Sequence, residues 1–102
     1  MSAGTLAAER AVLGALLADD EAFARVEPIL TAEDFDTDLG RACWRAAGRL
    51  ARSGVAVDLV TLTAELERAG DLAGIGGAAE VSGLAEGLPD PANVEYYAGI
   101  LR

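Results

Sequence analysis

Of 102 residues 53 are apolar, and 22 of these are alanine; the remaining 31 larger apolar side chains supply a core for one domain and not two. Seventeen Asp and Glu stand against eight Arg, giving a net charge of −9 with no lysine and no histidine. A Walker phosphate loop, a Ser-His-Asp triad and a histidine-based zinc site are thereby excluded, and binding to nucleic acid phosphates or anionic membranes is opposed.

The single Cys43 has no partner for an intramolecular disulfide, and no apolar run approaches the roughly 20 residues that span a bilayer. The chain reads as cytoplasmic, with proteins as its partners.

Alanine and leucine outweigh the ten Val and Ile, a balance that favours helix over strand. Leu6, Val12, Leu13, Leu16 and Leu17 fall on one arc of a helical wheel, with Thr5 as the cap and Asp19-Asp20 as the stop. Residues 21 to 30 give a second amphipathic piece carrying Phe23, Val26 and Leu30, shortened or kinked by Pro28. Thr31-Ala32-Glu33-Asp34 has the form of a capping box, with Phe35 behind it as an anchor.

A helix from about 38 to 52 buries Cys43, Trp44, Ala47 and Leu50 and stops at Gly54. Val55-Ala56-Val57 is extended but too short to make a sheet. Asp58 caps a helix with Leu59, Leu62 and Leu66 on one face, closed by Gly70. Leu72 and Ile75 plug the core from a glycine-rich loop, and a helix from 78 to about 87 offers Val81, Leu84 and Ala85. Leu88-Pro89-Asp90-Pro91 breaks the chain before a last helix with Val94, Tyr97, Ile100 and Leu101. That helix is still periodic at residue 102, so the reading is of a single domain, 1–102, cut from a longer protein.

Four features bear on chemistry. Gly74-Ile75-Gly76-Gly77-Ala78-Ala79 formally fits a dinucleotide-binding pattern but has no strand before it and no βαβ unit around it, so it reads as a turn feeding a helix. Glu33, Asp34, Asp36 and Asp38 lack the ligand spacing of a calcium loop and read as helix caps. Arg41, Arg45, Arg49 and Arg52 form one stripe, facing away from Cys43, Trp44, Ala47 and Leu50 and carrying half of all positive charge. That stripe is either a solvated helix face or a docking strip for an acidic partner or a phosphate backbone. Glu9 sits inside the apolar arc of the first helix, where a carboxylate must be paired. It bonds free backbone N–H groups at a helix start or faces a neighbouring subunit.

In this order the pieces resemble the N-terminal domain of DnaB-type bacterial replicative helicases. Ala8-Glu9-Arg10-Ala11-Val12-Leu13-Gly14-Ala15-Leu16-Leu17 is similar to that family's A-E-x-x-V-L-G-x-L-L, and Glu33-Asp34-Phe35 to its E-D-F turn. Gly54 with Val57-Asp58-Leu59-Val60-Thr61, then Leu66-Glu67 and Gly70, follows a G-x-x-(I/V)-D-x-V-T segment. Ile75-Gly76-Gly77 and Pro89…Ala92-Asn93…Tyr96-Tyr97-Ala98-Gly99-Ile100 match the I-G-G turn and the closing helix. Trp44 stands where the family usually has Phe, and Ala79-Glu80-Val81 where it commonly carries an aromatic.

The resemblance implies an all-α bundle of about six short helices without a sheet, non-catalytic and free of cofactors. ATP and Mg²⁺ belong to a motor outside this chain. It implies pairing with sister helicase subunits within a hexamer and docking of the primase C-terminal domain. A stand-alone acidic adaptor that binds helicase or primase is the alternative. Candidate partner-binding residues are Arg41, Arg45, Arg49, Arg52, Glu9 and Glu80; the expected core is Leu13, Leu17, Phe35, Trp44, Leu59, Leu62, Leu66, Leu84 and Tyr97.

Overall fold

Three side chains fix where the longer helices begin. In the computed structural model, which describes residues 2–87 and 89–102, Ser2 Oγ accepts the Thr5 N–H at 3.0 Å, Thr37 Oγ1 accepts that of Gly40 at 2.9 Å and Asp58 Oδ1 that of Thr61 at 2.8 Å. Each such cap is worth about 0.5–2 kcal/mol. They open α1 (Ala3–Ala18), α3 (Asp38–Arg52) and α4 (Leu59–Arg68). Thr5, expected as the first cap, lies instead inside the first turn, because Ser2 three residues upstream takes that role.

Helix α2 (Ala22–Val26) stops well short of residue 30. Pro28 offers no N–H to continue it, and the Ile29 and Leu30 N–H groups both fold back onto the Val26 carbonyl at 2.9 and 3.0 Å. The Thr31–Asp34 signature yields a single 3₁₀ turn, Ala32–Asp34, in which the Asp34 carboxylate accepts the Thr31 N–H at 2.8 Å. It goes no further because Phe35 turns extended, at φ −92° and ψ 133°, and its ring is buried in the core.

Helices α3 and α4 end alike, on a left-handed glycine. With Gly54 at φ +74° the Val55 N–H reaches the Leu50 carbonyl, and with Gly70 at φ +82° the Asp71 N–H reaches that of Leu66, both at 2.9 Å. A 3₁₀ turn, Ala73–Ile75, leads into α5 (Ala78–Gly83), which is shorter than the expected 78–87. After Gly83 the Leu84, Ala85 and Glu86 N–H groups reach back only three residues, so the chain tightens. Ala85 is therefore exposed, contrary to expectation. The expected break lies partly outside the described residues, at Leu88; beyond it Asp90 Oδ1 accepts the Ala92 N–H at 3.0 Å, and the 3₁₀ turn Pro91–Asn93 feeds α6 (Val94–Leu101). Among the described residues six α-helices form and no strand does.

α1 is the central helix. From Ala8 to Leu16 every residue except Arg10 is buried, α1 packs on α6 and α3, and α4 and α2 pack on α3 and α6 respectively. Alanines at 8, 11 and 15 are among those buried residues, and such small side chains permit close helix approach. Trp44 lies between Phe23 and Phe35, at ring-centroid distances of 4.8 and 5.5 Å.

Of the expected core, Leu13, Phe35, Trp44, Leu62, Leu66 and Leu84 are buried, while Leu17, Leu59 and Tyr97 pack half-buried against them. Leu6 and Ile100 are instead on the surface. Leu66→Ala, at a site with no exposure, should cost about 2–5 kcal/mol in urea unfolding, and Val60→Ala, 77% exposed, within about 0.5 kcal/mol of nothing.

Candidate docking surfaces and the Glu9 brace

Glu9 points inward. Only 1% exposed, its carboxylate accepts the Asp36 N–H at 2.8 Å through Oε1 and the Thr37 hydroxyl through Oε2. Thr37 Oγ1 in turn accepts the Gly40 N–H, so a buried charge on α1 is relayed onto the first turn of α3. The positive end of that helix favours a carboxylate there. Of the two sequence readings the helix-start one holds, and Glu9 is not available to a neighbouring subunit. Gly40 is needed for the approach, since a Cβ there would stand 2.6 Å from Glu9 Oε2 and 2.9 Å from Phe35 Cδ1.

The arginine stripe is only partly free. Arg41 donates to Asp38 at 2.5 Å and to the Phe35 carbonyl at 2.9 Å, and so is tied to its own helix start. Arg49 donates through Nε to Glu65 at 2.6 Å, joining α3 to α4, and Arg68 holds the same carboxylate through two nitrogens at 2.8 and 2.6 Å. These hydrogen bonds, first from Arg68 and then from Arg49, lower the Glu65 pKa from 4.5 to about 2 and raise that of Arg68. Arg45 stands 4.0 Å from Glu33, both largely exposed, and Arg52 has no ion pair among the described residues. Nor does the stripe turn away from Trp44: Arg45, Arg49 and Arg52 line the same groove as its ring.

Glu80 is exposed in the first turn of α5. The acidic cluster resolves into local partners, with Asp34 on Thr31, Asp38 on Arg41 and Glu33 near Arg45, and no group able to hold a metal occurs among the described residues. Gly76 and Gly77, both at positive φ, form the turn before α5. Cys43 is fully buried, and burial together with the Glu9 charge pushes its thiol up to about 12, so it is core.

Sequence reasoning missed Arg25. Its Nη2 donates to the Pro91 carbonyl at 2.7 Å, Nη1 lies 3.5 Å from Asp19, and Nε lies 3.3 Å from Glu95 without hydrogen-bond alignment. One side chain thus ties the end of α1 to α2 and α6. Nothing in the local pattern marks it, because its partners lie as many as 70 residues away.

An open groove of about 400 Å³ lies along α1 and α6. Gly4, Ala7, Ala11, Pro89, Tyr97 and Ile100 line it, with Arg10 and Glu86 as its charged members. Leu6 (39% exposed), Tyr96 (74%) and Ile100 (46%), on the same two helices, add exposed apolar area.

Similarity to known proteins identifies the family. A family model described as the DnaB-like helicase N terminal domain matches residues 3–102, and the chain belongs to that family. It is 44% identical over 98 residues to the replicative DNA helicase DnaB of Geobacillus stearothermophilus, covering 96% of this chain and 22% of that protein. To the DnaB of Mycobacterium leprae it is 41% identical over 96 residues, covering 94% of this chain and 16% of the relative. The chain thus spans less than a quarter of either relative's length. The crystal structure of the N-terminal domain of DnaB helicase from Mycobacterium tuberculosis superposes with a TM-score of 0.89 at 40% identity, covering 94% of this chain and 70% of that one.

Two measurements check the braces. Gly40→Ala should destabilise the domain by about 1–3 kcal/mol in urea unfolding, although alanine is the better helix former, because the added methyl meets Glu9 and Phe35. Glu65 is held in its ionised form, so its contribution is complete above pH 4.5 and is lost as pH falls toward about 2. Glu65→Gln should therefore flatten the acid limb of stability in that window while leaving the limb above pH 5 parallel to wild type.

Proposed function

We propose that this domain is a non-catalytic assembly and primase-docking head of a replicative DNA helicase. Its role is to bury the α1–α6 face against sister domains and against the C-terminal domain of primase. ATP and Mg²⁺ play their part elsewhere in such a helicase, and DNA is not gripped here, since a −9 domain repels phosphate. The observation that carries the reading is the open apolar groove between α1 and α6, on a domain of the DnaB N-terminal family. Small residues at 4, 7 and 11 let a partner helix approach the backbone of α1, and Tyr97 with Ile100 supplies the apolar wall. No helix of the described residues is long and apolar enough to cross a membrane.

Calorimetric titration with the C-terminal domain of the same organism's primase, at two salt concentrations, tests this. Saturable binding that Ile100→Glu weakens at least roughly tenfold, with the helical circular dichroism intact, is the expected result. No binding to primase, together with a concentration-independent monomer in sedimentation, would sink it. Self-association without primase binding would leave ring assembly as the sole role.

A further inference from the structure

A second groove, of about 470 Å³, opens between α2 and α3. Its floor is apolar and buried: Phe23, Leu30 and Trp44, exposed by 5, 4 and 7%. Its rim carries Arg45, Arg49 and Arg52, three of the eight positive charges in a chain of net charge −9, against one carboxylate, Glu27.

Two observations show a cleft left open rather than a packing accident. Gly48 lines it one helical turn after Trp44 and one before Arg52, in the interior of α3, where glycine is disfavoured relative to alanine. Without a side chain at 48, the Arg52 guanidinium folds back over the helix, 3.1 Å from where a Cβ would be. It forms no ion pair among the described residues. Arg49 is bound at Nε by Glu65, and its Nη2 has no hydrogen-bond partner among the described residues.

We propose that this groove docks a short acidic peptide of a partner protein, a large aliphatic or aromatic side chain entering over Trp44 and flanking carboxylates pairing with Arg52 and Arg45. Guanidinium groups receive carboxylates through paired N–H donors, and the apolar floor takes the side chain between them. A nucleic acid strand fits less well. Its bases could stack on Trp44, but it would bring a phosphate at every nucleotide against an acidic domain, with Glu27 in the groove and Glu33 beside it. Carboxylates are needed on the partner at only a few points.

Trp44 is the sole tryptophan, so its emission reports the groove directly. The whole chain is titrated with a synthetic peptide carrying one leucine flanked by Asp and Glu, with its Asn/Gln counterpart, and with a single-stranded oligothymidylate. A saturable shift of Trp44 emission by the acidic peptide is expected, weakened by salt and by roughly tenfold or more in Arg52→Gln, an exposed site whose change leaves the fold intact. Gly48→Leu, which fills the cleft, should abolish it. No shift, equal binding of the Asn/Gln peptide, indifference to Arg52→Gln, or saturation by the oligonucleotide instead would each overturn the proposal. Because the signal comes from the α2–α3 side, its failure leaves the α1–α6 face untouched.

Discussion

The buried carboxylate of Glu9 is the constraint around which the rest is arranged. A charge taken out of water must be met by donors, and the donors it meets are the Asp36 N–H and the Thr37 hydroxyl, at the very start of α3. That fixes the position of α3 against α1, brings Phe35 beneath the turn, and demands a glycine at 40. Once α3 is set, Trp44 falls between Phe23 and Phe35, and α4 is clamped on its far side by the Arg49–Glu65–Arg68 cluster.

Charge has two different fates in this molecule. Glu9, Glu65 and Arg25 act inside or across elements, where partial burial makes each pairing count; Arg45 and Arg52 remain at the surface and are weakly paired or not paired. The stripe that looks uniform on a helical wheel therefore divides in two. Arg41 and Arg49 serve the fold, and Arg45 and Arg52 stay exposed. Apolar surface divides in the same way, into a core around α1 and side chains such as Leu6, Tyr96 and Ile100 that the domain by itself leaves exposed.

Where local chemistry dominates, the sequence was readable. Asp58 capping α4, Gly54 and Gly70 ending helices, Pro28 stopping α2 and the all-helical class all follow from neighbours within one turn. The family resemblance was legible too, because it rests on ordered short motifs that the match over residues 3–102 and the 0.89 superposition support. Errors arose where periodicity was carried past its local warrant. Leu6 and Ile100 continue the apolar arcs of their helices yet lie at ends that nothing covers, and Ala85 belongs to a helix that tightens into 3₁₀ turns after Gly83.

By itself the sequence determined much of what each segment is: its helical state, the cap at Asp58, the stops at Gly54 and Gly70, the buried position of Glu9, and the membership of the family. Those depend on interactions spanning one or two turns. Only the tertiary structure decided what each charged residue does. The choice of Glu9 for the start of α3, of Arg49 for Glu65, and of Arg25 for a carbonyl some 66 residues away depends on where helices cross, and no local pattern encodes a crossing. The two open grooves arise the same way, since a groove is the space between elements and belongs to no single stretch of chain.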